Sequence, residues 1–205
     1  MSERVDYWFD PICPWAWMTS RWVTEVQSLR DIEVYWHPFS LGLLNEGREL
    51  EADYRRHLDA SWGPARVAMA VRETQGQQSV KAFYDAVGTA IHPENTGEDD
   101  DRARYRAAIE RALSETGLPA ELADEAEKTT YDDALRASNE RALELVGDEV
   151  GVPIISIEGT AFFGPVISPA PTGEQAAAVW DGAKALSSYE GFFELKRSRT
   201  RPPQF

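Results

Sequence analysis

The first forty residues divide into three segments by the spacing of their apolar positions. A run of aromatic and β-branched residues predicts a strand at about 4–9, and helical spacing predicts a helix at about 13–30. Strict alternation from Ile32 to His37 predicts a second strand, which ends at Pro38. Two strands joined through one helix pair in parallel with a right-handed crossover. The chain therefore opens with a β-α-β unit.

A long central segment, from about 48 to 147, has helical spacing throughout. It is rich in Ala, Arg, Glu and Leu, and breaks such as Gly63-Pro64 divide it into about six helices, two of them at 79–91 and 99–116. Strand character then returns. The segments 152–157 and 161–163 flank the turn Glu158-Gly159 and predict a β-hairpin, and a last helix is expected at about 173–187.

The outer segments complete one sheet, and the helical segment interrupts them. The predicted fold class is α/β. We expect two parts, a discontinuous sheet domain at 1–40 and 148–205 and an all-helical insertion at 41–147.

Charge and composition limit the range of functions. The 205 residues carry a net charge of −14, which disfavours nucleic acids and anionic membrane surfaces as partners. The N-terminus lacks the pattern of a secretory signal, and no window is apolar enough for a membrane-spanning helix. One cysteine cannot form an intramolecular disulfide. We expect a cytoplasmic protein, monomeric or homodimeric.

The single cysteine, Cys13, lies where the first strand passes into the first helix, and Pro14 follows it. Free N–H groups and the positive end of the helix dipole stabilise a thiolate at such a position. Thiols placed in this way have a pKa lowered from about 8.5 to roughly 3.5–7.5. We therefore expect Cys13 to be a nucleophile. The alternative is a buried, inert cysteine packed as a small apolar side chain.

Four stretches of the sequence resemble the DsbA family of thioredoxin-fold proteins. Within it they are most similar to the cytoplasmic, FrnE-like branch and its actinobacterial mycothiol-dependent reductases. The similarity spans nearly the whole chain. Its four stretches, in order, are Trp8 to Trp15, Ser40 to Glu46, Phe162 to Pro165 and Phe192 to Arg197.

The resemblance implies a thioredoxin fold with a helical insertion over the active-site cysteine. It also implies that Val152-Pro153 is the cis-proline loop facing Cys13, where the backbone can pair with an extended substrate. Mycothiol, or another low-molecular-weight thiol, would be the co-substrate, with no tightly bound cofactor. Small disulfides or nitroaromatic electrophiles would be the substrates.

The sequence departs from the dithiol members of this family at Ala16. Those members carry a second cysteine at this position of the Cys13-Pro14-Trp15 motif, which resolves the mixed disulfide. Alanine cannot do so. Either the protein works with one thiol and a second thiol molecule resolves the intermediate, or a resolving cysteine has been replaced.

Other candidate residues lie further along the chain. Trp15 could offer a flat face to substrate or pack in the core, and Asn45 could bind a thiol or cap a helix. Tyr54 and His92 are further substrate-binding candidates. The histidines show no metal-ligand spacing, so no metal site is expected.

Two other functions stay open. Kappa-class glutathione transferases and 2-hydroxychromene-2-carboxylate isomerases share the fold and activate the thiol of a bound cofactor at the same helix start. A non-catalytic binding or chaperone module would leave Cys13 idle.

Overall fold

The computed structural model describes residues 2–94 and 100–205. Its centre is a four-stranded mixed sheet in the order β2-β1-β3-β4, formed by β1 (Glu3–Phe9), β2 (Ile32–Pro38), β3 (Ile154–Ile157) and β4 (Thr160–Phe163). The strand β1 pairs in parallel with β2 and antiparallel with β3, which forms the predicted hairpin with β4. Segments from the two ends of the chain thus share one sheet, as predicted.

One face of the sheet carries two helices, α1 (Pro14–Leu29) and the C-terminal helix Gly173–Ser187. Trp22 of α1 is fully buried, and its indole N–H donates to the Ala176 carbonyl of the C-terminal helix at 3.0 Å. Its ring also packs on Trp180, with the centroids 5.6 Å apart. These contacts fix the position of α1, whose first turn holds the cysteine.

The insertion between β2 and β3 consists of helical segments in the described part of the chain. They are α2 (Leu41–Leu44), α3 (Ala52–Gln75), α4 (Gln77–Ile91), α5 (Asp101–Thr116), a 3-10 helix (Ala120–Glu127) and α6 (Asp132–Val146). The C-terminal helix is accordingly α7. Tyr84 of α4 stacks on Phe9 of β1, with the centroids 3.8 Å apart, so the insertion packs directly on the sheet.

The predicted break at Gly63-Pro64 is wrong, because α3 runs through it without interruption. Proline removes one backbone hydrogen bond from a helix, at a cost of about 3 kcal/mol. Here Pro64 is buried, with Ala60 and Ala68 of the same helix in the core on either side of it. We attribute the continuity of α3 to this packing. The predicted start of the next helix at 99 lies outside the described residues.

We retain the proposed division into a sheet domain and an insertion at 41–147. Ser40 caps the start of α2 by accepting the Leu43 N–H at 3.1 Å, and Gly147 ends α6 with a positive φ of 88°. No helix in the described ranges combines the length and the apolar character needed to cross a bilayer.

Candidate active site

Cys13 is the N-cap residue of α1, one short loop after the end of β1. Its Sγ accepts the N–H of Ala16 at 3.5 Å and donates to the carbonyl of Val152 at 3.5 Å. The Val152–Pro153 peptide bond is cis. The structure therefore brings together the two segments that the sequence analysis assigned to the site, although they lie 139 residues apart.

The sulfur is covered. Cys13 is 6 % exposed, and burial raises the pKa of its thiol to about 12, with a smaller increase from the buried Asp10. The N–H groups of Ala16 and Trp15 lower the pKa but do not offset the loss of solvation. The expected lowering of the pKa is thus wrong for this conformation. The burial of Cys13 is what we would expect of an inert cysteine that packs as a small apolar side chain.

Asp10 links the cysteine loop to the start of the insertion. Its carboxylate is fully buried and accepts the N–H of Ile12 at 3.0 Å and the N–H of Leu41 at 2.7 Å. Burial raises the pKa of this carboxyl to about 7, although both hydrogen bonds lower it. Sequence reasoning missed this residue. The sequence feature that could have identified Asp10 is its position directly after a strand and three residues before the cysteine.

The remaining motif residues frame the sulfur. Ala16 is fully buried and its carbonyl accepts the hydroxyl of Tyr7 at 2.6 Å, while Pro14 occupies the first helical position. Trp15 is half-buried, and the guanidinium carbon of Arg199, from the C-terminal tail, lies 5.1 Å from its ring centroid. Arg199 therefore lies over one face of the ring that Trp15 could offer to a substrate.

His92 also lies beside the cysteine loop. Its Nε2 is 2.9 Å from the carbonyl of Pro11, and its ring stacks on Phe205 with the centroids 5.5 Å apart. Burial lowers the pKa of this imidazole to about 4. His92 is therefore neutral near pH 7 and donates to the Pro11 carbonyl.

Two other candidates make no hydrogen bond, ion pair or ring contact with the cysteine loop in the described part of the chain. Asn45 caps the end of α2, where its side-chain amide donates to the Leu41 carbonyl at 2.8 Å. Tyr54 is 47 % exposed near the start of α3. We therefore propose a capping role for Asn45, and substrate contact by either residue stays a prediction.

The other histidines belong to separate polar contacts. His37 Nε2 lies 2.7 Å from Asp6 of β1, and His57 Nδ1 lies 2.8 Å from Asp101 of α5. Within residues 2–94 and 100–205, no three acidic, histidine or cysteine side chains gather in a way that could hold a metal ion.

Comparison with known proteins identifies the family. Residues 12–197 match the Rv2466c-like family, described as mycothiol-dependent nitroreductase Rv2466c. The chain belongs to this family. It is also 30 % identical over 198 residues to the "Uncharacterized protein Rv2286c" of Mycobacterium tuberculosis, covering 96 % of this chain and 82 % of that protein. The resemblance to mycothiol-dependent reductases is thereby confirmed.

Solved structures confirm the fold class of this member of the Rv2466c-like family. Chlamydia trachomatis DsbA matches with a TM-score of 0.55 and 10 % identity, over 91 % of this chain and 89 % of that one. A 2-hydroxychromene-2-carboxylate isomerase matches with a TM-score of 0.57 and 12 % identity, over 89 % and 94 %. At such identities the likeness concerns the DsbA-like thioredoxin fold alone.

Proposed function

We propose that this member of the Rv2466c-like family is a cytoplasmic thiol-disulfide oxidoreductase that acts through Cys13 alone and uses a low-molecular-weight thiol, mycothiol by family membership. One observation carries the proposal. The Cys13 sulfur lies within hydrogen-bond distance of both the Ala16 N–H, in the first turn of α1, and the Val152 carbonyl that precedes Pro153. An inert core cysteine needs neither neighbour.

The first step forms a mixed disulfide. The Cys13 thiolate attacks one sulfur of a small disulfide, its S–S bond breaks, and the other sulfur leaves as a thiolate that takes up a proton. The N–H groups of Trp15 and Ala16 stabilise the attacking anion once the sulfur is uncovered. The Val152 N–H, which donates to no acceptor among the described residues, is available to the substrate backbone.

The second step needs a thiol from outside the protein. The chain has no other cysteine, and Ala16 occupies the position of a resolving one. A second thiol molecule therefore attacks the mixed disulfide, forms a new disulfide with the bound sulfur and releases the Cys13 thiolate. With a nitroaromatic substrate, two thiols become one disulfide, and their two electrons and two protons convert the nitro group into a nitroso group and water.

The test is mass spectrometry of the intact protein. The reduced protein is incubated with oxidised mycothiol, oxidised glutathione or coenzyme A disulfide, and Cys13→Ser is the control. We expect one stable adduct, formed fastest with mycothiol and absent from Cys13→Ser. Thiol-dependent turnover that survives in Cys13→Ser would refute the mechanism and favour an isomerase-like site that activates a bound thiol.

A second variant tests resolution. In Ala16→Cys, a thiol stands one helical turn after the cysteine. We expect its mixed disulfide to resolve without added thiol and the protein to finish as an internal disulfide. A persistent adduct in Ala16→Cys would show that position 16 cannot reach the bound sulfur.

A further inference from the structure

The C-terminal tail after α7 crosses the candidate active site. It carries a basic segment, 196–201, with four cationic residues in a chain of net charge −14. Its surface is largely solvent-exposed, with Phe193 91 % and Phe205 57 % exposed. The family match ends at residue 197, so the last eight residues lie beyond it.

Three contacts hold these last residues. Arg199 lies over the ring of Trp15, the backbone N–H of Gln204 donates to Ser168 Oγ at 2.7 Å, and Phe205 stacks on His92. Trp15 belongs to the motif helix, whereas His92 ends α4 of the insertion. The tail therefore reaches from one side of the cysteine loop to the other.

We propose that Arg199 and Phe205 are specificity-determining residues, which hold the tail across the site so that small disulfides reach Cys13 and polypeptide disulfides do not. This inference rests on the proposed function, and it names the substrate class. It stands on the geometry of the two contacts, in which Arg199 lies over the ring of Trp15 and Phe205 stacks on His92.

Size explains the selection. A polypeptide disulfide brings extended chain on both sides of its sulfurs, and that chain would run along Val152-Pro153. It would need the surfaces of Trp15 and His92, which the tail occupies. A small disulfide needs less of this surface. Arg199 is also a cation that lowers the pKa of the Cys13 thiol, so its loss would not by itself accelerate the reaction of a small disulfide.

The test compares a double variant, Arg199→Gln/Phe205→Ala, with a matched control, Arg197→Gln/Phe193→Ala. The control residues are exposed tail residues of the same types, and they make no hydrogen bond, ion pair or ring contact in the described ranges. Second-order rate constants for mixed-disulfide formation at Cys13 are measured with oxidised glutathione and with insulin. Thermal midpoints establish that all variants are folded.

We expect the ratio of the insulin rate to the glutathione rate to rise about tenfold or more in the Arg199→Gln/Phe205→Ala protein, because two contacts that hold the tail are lost. The control is expected to stay within about twofold of wild type. If the ratio of the insulin rate to the glutathione rate is unchanged in a folded double variant, the inference about the tail is overturned and the proposed function is not. A wild-type protein that forms no mixed disulfide with either reagent would overturn the proposed function as well.

Discussion

The buried carboxyl of Asp10 gives a prediction about stability and pH. Its pKa is about 7 in the folded protein against an ordinary value of 3.8. Because the folded state holds the proton more tightly, the contribution of Asp10 is complete below about pH 4 and is lost as the pH rises through 7. A difference of about three pKa units corresponds to about 4 kcal/mol in the free energy of unfolding.

His92 acts in the opposite direction over part of the same range. Its pKa falls from 6.5 to about 4 on folding, so its contribution is lost as the pH drops from about 6.5 towards 4. That loss amounts to about 3 kcal/mol. The pH profile of the wild-type protein alone would therefore hide the effect of Asp10. The quantity to measure is the difference between wild type and Asp10→Asn.

Asp10→Asn removes the titration. Its amide can accept only one of the N–H groups of Ile12 and Leu41, which adds a pH-independent loss of about 1–3 kcal/mol. Urea unfolding followed by tryptophan fluorescence at pH 4.5, 5.5, 6.5 and 7.5 gives both free energies. We expect the free energy of unfolding of wild type minus that of Asp10→Asn to fall by about 3 kcal/mol between pH 4.5 and 7.5, so that the variant becomes as stable as wild type or more stable.

The control for this experiment is Asp59→Asn, at an exposed aspartate that makes no ion pair in the described part of the chain. Its unfolding profile is expected to run parallel to that of wild type. A constant difference between wild type and Asp10→Asn over the same pH range would refute the argument. It would show that the carboxyl is ionised throughout, held by its two N–H donors.

Three further predictions concern the cysteine and the core. Alkylation of resting Cys13 by iodoacetamide at pH 7.5 should be about a thousandfold slower than that of a free thiol, because burial keeps the sulfur protonated. The alkylation rate should still increase with pH beyond 10, and a rate that levels off below pH 8 would contradict the burial of the thiol. Gly88→Ala should lower the free energy of unfolding by about 1–3 kcal/mol, and with it the thermal midpoint, because the added methyl group would clash with Trp17. Gly182→Ala, where the methyl group would meet open space, should not lower it. Trp22→Phe, which removes the indole N–H that donates to Ala176 and shortens a fully buried side chain, should cost about 1–3 kcal/mol in urea unfolding, and an unchanged unfolding curve would contradict this.

The parts of the structure that the sequence predicted well are local ones. Alternation and helical spacing place β1, α1 and β2 within a few residues of their observed bounds. The position of Cys13 at a helix start follows from the same patterns. The break expected at Gly63-Pro64 failed because a local signal was outweighed by burial along α3, which the sequence pattern does not report.

The covering of the sulfur could not be predicted in this way. Two of the contacts beside the cysteine loop come from Arg199 and Phe205, which are nearly two hundred residues from Cys13 and lie in a basic tail without regular periodicity. The proximity of Val152 to the sulfur was expected only from the family resemblance. Nothing in the spacing of residues indicates either contact.

Covering and reactivity are coupled at this site. Burial raises the pKa of the Cys13 thiol from an ordinary value of 9 to about 12, a difference equivalent to about 4 kcal/mol. The contacts of Arg199 and Phe205 with the site are of kinds worth about 0.5–1.5 kcal/mol each. At pH 7 the Cys13 thiol is protonated whether its pKa is about 12 or about 9, so ionisation supplies almost no free energy to offset the loss of these two contacts. The tail therefore stays in place unless a substrate makes contacts that replace those of Arg199 and Phe205, and selection by substrate size requires this property.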